Sequence, residues 1–162
     1  MTTLAEAVAQ AAEATDERAL ADLRREVADD LEASVRAADY RERAVGYRAI
    51  GALNFSAKTE LLRRGLEDES PACRGSALLS LELLSRDHPG LVNANRALLH
   101  KLANADGNAA VRRLAVLCLK NGSPARDTLV FLEHLADVSE EKEMRSAAAS
   151  VHQALKRKAS AR

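Results

Sequence analysis

Tryptophan is absent from this chain of 162 residues, and aromatics of all kinds make up only 2% of it. No stretch rich in Val, Ile, Thr and aromatic residues is present, so nothing reads as a β-sheet. Pro occurs three times and Gly seven times, which leaves room only for few and short turns. The two cysteines, Cys73 and Cys118, stand far apart in apolar runs and form no CxxC motif. They read as buried reduced thiols, as expected of an intracellular, cytoplasmic protein. No apolar run approaches the roughly 18–20 residues that span a bilayer. The opening MTTLAEAVAQAAEAT lacks a basic start and does not read as a signal peptide.

What is present is Ala, Leu and Val, with 30% charged residues. Ala and Leu favour helices, so the composition predicts an all-α protein. Net charge is zero, but its distribution is uneven. Residues 1–40 hold ten acids and four bases, residues 41–99 hold seven and nine, and residues 100–162 hold seven and eleven.

Periodicity and turn residues predict nine helices. Thr3 caps a helix over 3–14, and Thr15-Asp16 caps one over 17–37 with an apolar stripe at Leu20, Leu23, Val27, Leu31 and Val35. A third runs over 41–53. Asn54-Phe55-Ser56 breaks it, and Ser56 caps 57–67 with Glu60 near the capping-box position. Pro71, tolerated at a first helical position, opens 71–86. His88-Pro89-Gly90 precedes 91–104, and Asp106-Gly107-Asn108 precedes 109–120. Asn121-Gly122-Ser123-Pro124 separates that helix from 124–136, and Ser139 opens 140–157. A basic tail, 158–162, is expected to fray after a single domain over 1–157.

Four of these helices share a register. Arg74 is followed by Ala77, Leu81 and Leu84 at offsets of three, seven and ten. Arg112 has Ala115, Leu119 and Gly122 there; Arg43 has Gly46, Ile50 and Leu53; Arg145 has Ala148, His152 and Leu155. The arginines are 31, 38 and 33 residues apart, a period typical of stacked helical hairpins. An acid precedes Arg74 and Arg112 by six residues, as Asp68 and Asp106. Asp137 precedes Arg145 by eight, which suggests a loop longer by two residues, and Ala37 occupies the corresponding place before Arg43.

This pattern resembles HEAT repeats over about residues 17–157; armadillo-like and other α-solenoids are also compatible with it. The resemblance implies a right-handed α-α superhelix of about four helical hairpins, with the first helix as an N-terminal cap. It also implies that Asp68, Arg74, Asp106 and Arg112 are structural, forming a ladder between adjacent repeats, and that the second helices line a concave face. Carrying the register around each second helix puts Ala44, Arg48 and Gly51, then Gly75, Leu79, Glu82 and Arg86, on that face. Arg113, Leu117 and Lys120 follow, then Ser146, Ser150, Gln153 and Arg157. Arg48, Leu79, Glu82, Arg86, Arg113, Leu117, Lys120 and Gln153 are the candidate partner-binding residues, a mildly basic row with two leucines suited to an acidic-hydrophobic peptide or helix.

Catalytic chemistry finds little to work with. The four histidines, His88, His100, His134 and His152, form no HExxH and no i,i+4 pair, so no metal site is expected. No glycine-rich phosphate loop is present, and no cofactor is expected. Cys73, in a first helical turn, reads as a core thiol rather than a nucleophile. The expectation is a non-enzymatic adaptor or scaffold with a protein partner. The alternative is nucleic-acid binding in a basic groove, as in HEAT-like alkylpurine DNA glycosylases, but Glu82 interrupts the row and no tryptophan is available for stacking. An accessory role like that of bilin lyase-type HEAT-like proteins ranks last. Lys156, Arg157, Lys158 and Arg162 form a basic C-terminal cluster.

Overall fold

A computed structural model describes residues 1–161; Arg162, and with it the last member of the basic cluster, lies outside the described residues. Among them ten α-helices and one 3-10 turn form, and no strand. The chain divides into two compact units, Met1–Leu84 and the residues from Ser85 onward.

The first unit contains α1 (Leu4–Glu13), α2 (Glu17–Val35), α3 (Tyr40–Ala52), a 3-10 turn (Ser56–Lys58), α4 (Glu60–Leu66) and nearly all of α5 (Pro71–Ser85). Thr3 caps α1 in a full capping box with Glu6, which satisfies two otherwise orphaned N–H groups. Asp16, rather than Thr15, caps α2 by accepting from the Ala19 N–H. The α2 stripe Leu23, Val27, Leu31 and Val35 is buried against α3, and α1 packs on both. Burial of each such leucine contributes about 1.5–3 kcal/mol.

α3 ends in a Schellman motif. Asn54 takes φ 52°, the Phe55 N–H bonds the Ile50 carbonyl at 2.9 Å, and the Asn54 N–H bonds that of Gly51 at 3.1 Å. Asn tolerates the left-handed region better than branched residues do. Phe55 is thereby turned inward, only 4% exposed. The helix expected over 57–67 is divided here. Ser56 does not cap it; its carbonyl accepts from the Thr59 hydroxyl, and the 3-10 turn brings the Lys58 ammonium to within 2.8 Å of Glu32 on α2. This tertiary pair outweighs the local capping signal.

The second unit contains α6 (Gly90–Ala94), α7 (Arg96–Ala105), α8 (Ala109–Leu119), α9 (Arg126–Val138) and α10 (Lys142–Ser160). α7 pairs with α8, α9 with α10, and α8 also packs on α10. The helix expected over 91–104 is broken at Asn95, whose side chain bonds the Leu91 carbonyl at 2.8 Å. The cause is again tertiary: Asn93 on α6 holds both the N–H and the hydroxyl of Ser123 at 2.9 Å, fixing α6 against the loop before α9. α10 runs through Ser160, so residues 158–160 are helical rather than a frayed tail. The Lys158 ammonium explains the extension. It donates to the carbonyls of Lys120 and Gly122 and so satisfies the C-terminal end of α8.

The repeated register describes the core. Gly46, Ile50, Leu53, Ala77, Leu81, Leu84, Ala115, Leu119, Gly122, Ala148 and Leu155 are all buried; His152 alone is half-buried. At Gly46 a Cβ would meet Val35 at 2.8 Å, and at Gly122 it would meet Val92 at 2.6 Å, so both sites require a residue without a side chain.

Candidate protein-binding face

Each repeated arginine reaches back to the backbone carbonyl six residues before it. Arg43 Nη1 donates to Ala37 at 3.1 Å, Arg74 to Asp68 at 2.9 Å, Arg112 to Asp106 at 2.6 Å and Arg145 to Ser139 at 2.8 Å. In every case the acceptor lies just past the last turn of the preceding helix, so the arginine ties that end to the start of the next helix. The acceptor belongs to the backbone, which explains why its residue type varies. It also corrects the reading of Asp137: the equivalent residue is Ser139, at the same spacing of six, and the loop has no insertion.

The acidic side chains have other partners. Asp68 faces Arg43, at 2.9 and 3.1 Å, and Glu141 faces Arg112 at 2.5 Å. Asp68 also accepts the Ser70 N–H, and Asp106 accepts the Asn108 N–H, each at 2.9 Å, which fixes the turn two residues on. The Arg43 and Asp68 side chains are only 12% and 8% exposed, so solvent screens the pair less than it would a surface pair. Burial pushes the Asp68 carboxyl up, but the Arg43 guanidinium and the Ser70 N–H outweigh burial and hold it below its ordinary value. The Asp68 carboxylate in turn raises the Arg43 guanidinium above its usual range. Cys73 is wholly buried, its thiol donates to the Tyr40 carbonyl at 3.2 Å, and burial pushes its pKa up. That environment disfavours the thiolate.

The outward row can be followed in each unit. The fifth residue after the repeated arginine is Arg48, Leu79, Leu117 or Ser150, and the eighth is Gly51, Glu82, Lys120 or Gln153. In the first unit Leu79 is 39% exposed, a large value for a leucine on a well-packed helix. Arg48 is half-buried, and its Nη1 is buried without a hydrogen-bond partner. Glu82 is half-buried. Gly51 does not face outward: its N–H bonds the Ser80 hydroxyl at 2.9 Å, and a Cβ there would lie 2.6 Å from the Ser80 Cα. The same hydroxyl donates to the Tyr47 carbonyl at 2.5 Å and lies 3.2 Å from that of Arg48, which sets α3 against α5 beside Leu79.

In the second unit Leu117 is 38% exposed on α8, with Arg113 and Lys120 exposed one turn to either side. The Lys120 carbonyl receives Lys158. Arg86 is exposed just after α5, and Gln153 lines a shallow depression with Lys156 and Arg157.

The row does not hold all the exposed apolar side chains. Val130 and Val138 on α9 are 58% and 56% exposed, and Tyr40 and Val45 on α3 are also open. Sequence reasoning passed over these valines because they lie outside the register of the arginine helices. It also passed over Ser80, a buried hydroxyl whose role depends on a glycine 29 residues away. The histidines stand apart. His100 stacks on Phe131 at 4.6 Å and its Nε2 lies 3.0 Å from the Thr128 hydroxyl, while His88 and His134 are exposed. Among the described residues no three His, Cys, Asp or Glu side chains gather as metal ligands would. No helix among them is long and apolar enough to cross a membrane.

No protein-family model matches the chain, and no curated protein matches it.

Proposed function

We propose that this chain is a HEAT-like α-solenoid acting as a non-enzymatic interaction module. Its partner would be a protein presenting an acidic-hydrophobic peptide or helix to the face formed by the second helices. The observation that carries this reading is the fourfold recurrence of one device: an arginine in the first turns of α3, α5, α8 and α10 bonded to the carbonyl six residues before it. A unit repeated in this way supports an extended surface rather than a single cleft. Leu79 and Leu117 stand at the same offset from that arginine and are similarly exposed, 39% and 38%, among Arg48, Arg113 and Lys120. An apolar side chain with an exposed cation one turn to either side, as Leu117 has in Arg113 and Lys120, suits an amphipathic partner bearing acids.

The test compares wild type with Leu79→Asp/Leu117→Asp and with Arg48→Ala/Arg113→Ala in affinity capture from the native host. A partner retained by wild type and lost from both variants supports the reading. Partners that bind all three proteins equally would reject it. Salt-sensitive gel shifts that disappear in the arginine variant would move the assignment to nucleic acid.

A further inference from the structure

The first and last helices of the chain carry opposite charge. α1 and α2 together hold eight acids and three bases, whereas α10 holds five bases and one acid. Glu13, Asp29 and Asp30 are exposed on the acidic helices, and Lys142 and Lys156 are exposed on the basic one.

The fourth arginine, Arg145, lies on that basic helix, and its set of partners is smaller than those of Arg43 and Arg112. Arg43 and Arg112 each receive a carboxylate in addition to a carbonyl. The Arg145 guanidinium has only the Ser139 carbonyl among the described residues. The fourth residue after each arginine changes in parallel. Tyr47, Leu78 and Val116 are wholly buried there, but Ala149 is exposed. Helical spacing puts Arg145, Ala149, His152 and Lys156 on one side of α10. The positions corresponding to Ala149 and His152 are buried in the earlier arginine helices, whereas here Ala149 and Lys156 are exposed and Arg145 and His152 half-buried.

We propose that a second copy of this chain covers this side of α10 with its acidic α1 and α2, and supplies Arg145 with a carboxylate. The two surfaces differ, so the contact is heterologous. A pair of chains leaves one surface of each kind unused, and further copies add head to tail. Attraction between exposed charges also makes the association sensitive to salt. Such self-association is independent of the Leu79 and Leu117 face, so either can fail without the other.

The full chain is tested by sedimentation over a range of concentrations at low and high salt. The expected result is a mass that grows with concentration at low salt and returns to monomer at high salt. Glu13→Gln/Asp29→Asn/Asp30→Asn removes one surface, and Lys142→Gln/Lys156→Gln removes the other. All five side chains are exposed, and circular dichroism checks that both variants fold. Each variant alone is expected to be monomeric. Their mixture is expected to form one-to-one pairs and nothing larger, because each variant keeps one intact surface. A wild-type chain that stays monomeric at low salt overturns the proposal, as does self-association that neither variant reduces or a mixture that fails to pair.

Discussion

Arg43 and Asp68, 25 residues apart in the chain, hold each other through two parallel N–H···O bonds of 2.9 and 3.1 Å. Bidentate pairing of this kind fixes direction as well as distance. It joins the start of α3 to the turn between α4 and α5, while Arg74 at the start of α5 takes the backbone carbonyl of the same Asp68. One residue therefore links two arginine helices, by its side chain in one direction and its main chain in the other.

Asp68→Asn is expected to lower stability at neutral pH, and the loss should depend on pH. The folded-state carboxyl titrates below its ordinary value of 3.8. The unfolded state therefore binds the proton first as pH falls, and the native advantage, full above the ordinary value, disappears through the lower folded one. Denaturant melts of wild type and variant should differ at pH 7, and the difference should shrink as pH falls below 3.8. A difference that does not shrink would contradict this account of the pair.

Gly51→Ala is expected to cost about 1–3 kcal/mol, as overpacking against a fixed backbone does. The new Cβ would meet the Ser80 Cα and Oγ at 2.6 and 2.8 Å, and the Cα cannot rotate away. Ser80→Ala should cost a similar amount, about 1–3 kcal/mol, by leaving buried backbone groups without their hydroxyl partner. Chemical denaturation of the two single variants and the double variant measures both. Because the two residues touch, the effects should be non-additive.

His100 should make stability fall in mild acid. Burial lowers its pKa from the ordinary 6.5 despite the nearby Asp127, so the neutral ring is favoured beside Phe131 and Thr128. The unfolded chain takes up the proton first, and the His100 contribution, full above pH 6.5, declines as pH drops through the folded value. Proton NMR titration should place the His100 midpoint below the ordinary 6.5. A His100→Gln variant should show a shallower loss of stability between pH 7 and pH 5.

Lys158→Ala is expected to destabilise the chain by about 1 kcal/mol, the usual contribution of a cation at a helix C-terminus when solvent screens part of it. For a chain of this size that is a fall in Tm of roughly 2–4 °C. Removal of everything after Arg157 should have the same effect. Truncation without any change in thermal stability would show that α10 does not depend on this contact.

Much of the fold was legible because its punctuation is local. The Thr3 cap, Pro71 at the start of α5, and the breaks at 54–56, 88–90, 106–108 and 121–124 all rest on residues that act on their own backbone. The core register was legible because small and large side chains alternate against a fixed arginine. The divisions at Thr59 and Asn95 were not, because Lys58 with Glu32 and Asn93 with Ser123 act between elements. The partners of the acidic side chains were not legible from spacing alone: Asp68 stands six residues before Arg74, but its carboxylate bonds Arg43, 25 residues earlier in the chain. At the candidate face, helical offset sufficed to single out Leu79 and Leu117. It failed at Gly51, where a close approach between helices turns an outward position inward.

The choice of a main-chain oxygen as the arginine's acceptor sets unequal mutational freedom along the loops. Every residue type offers that oxygen, so Ala, Asp and Ser can all stand at the accepting positions, and substitution there should be absorbed with little harm wherever the side chain has no second task. No other side chain combines the reach and the forked donors of arginine. A saturation scan should therefore find Arg43, Arg74, Arg112 and Arg145 intolerant and Ala37 permissive, with even lysine a poor replacement.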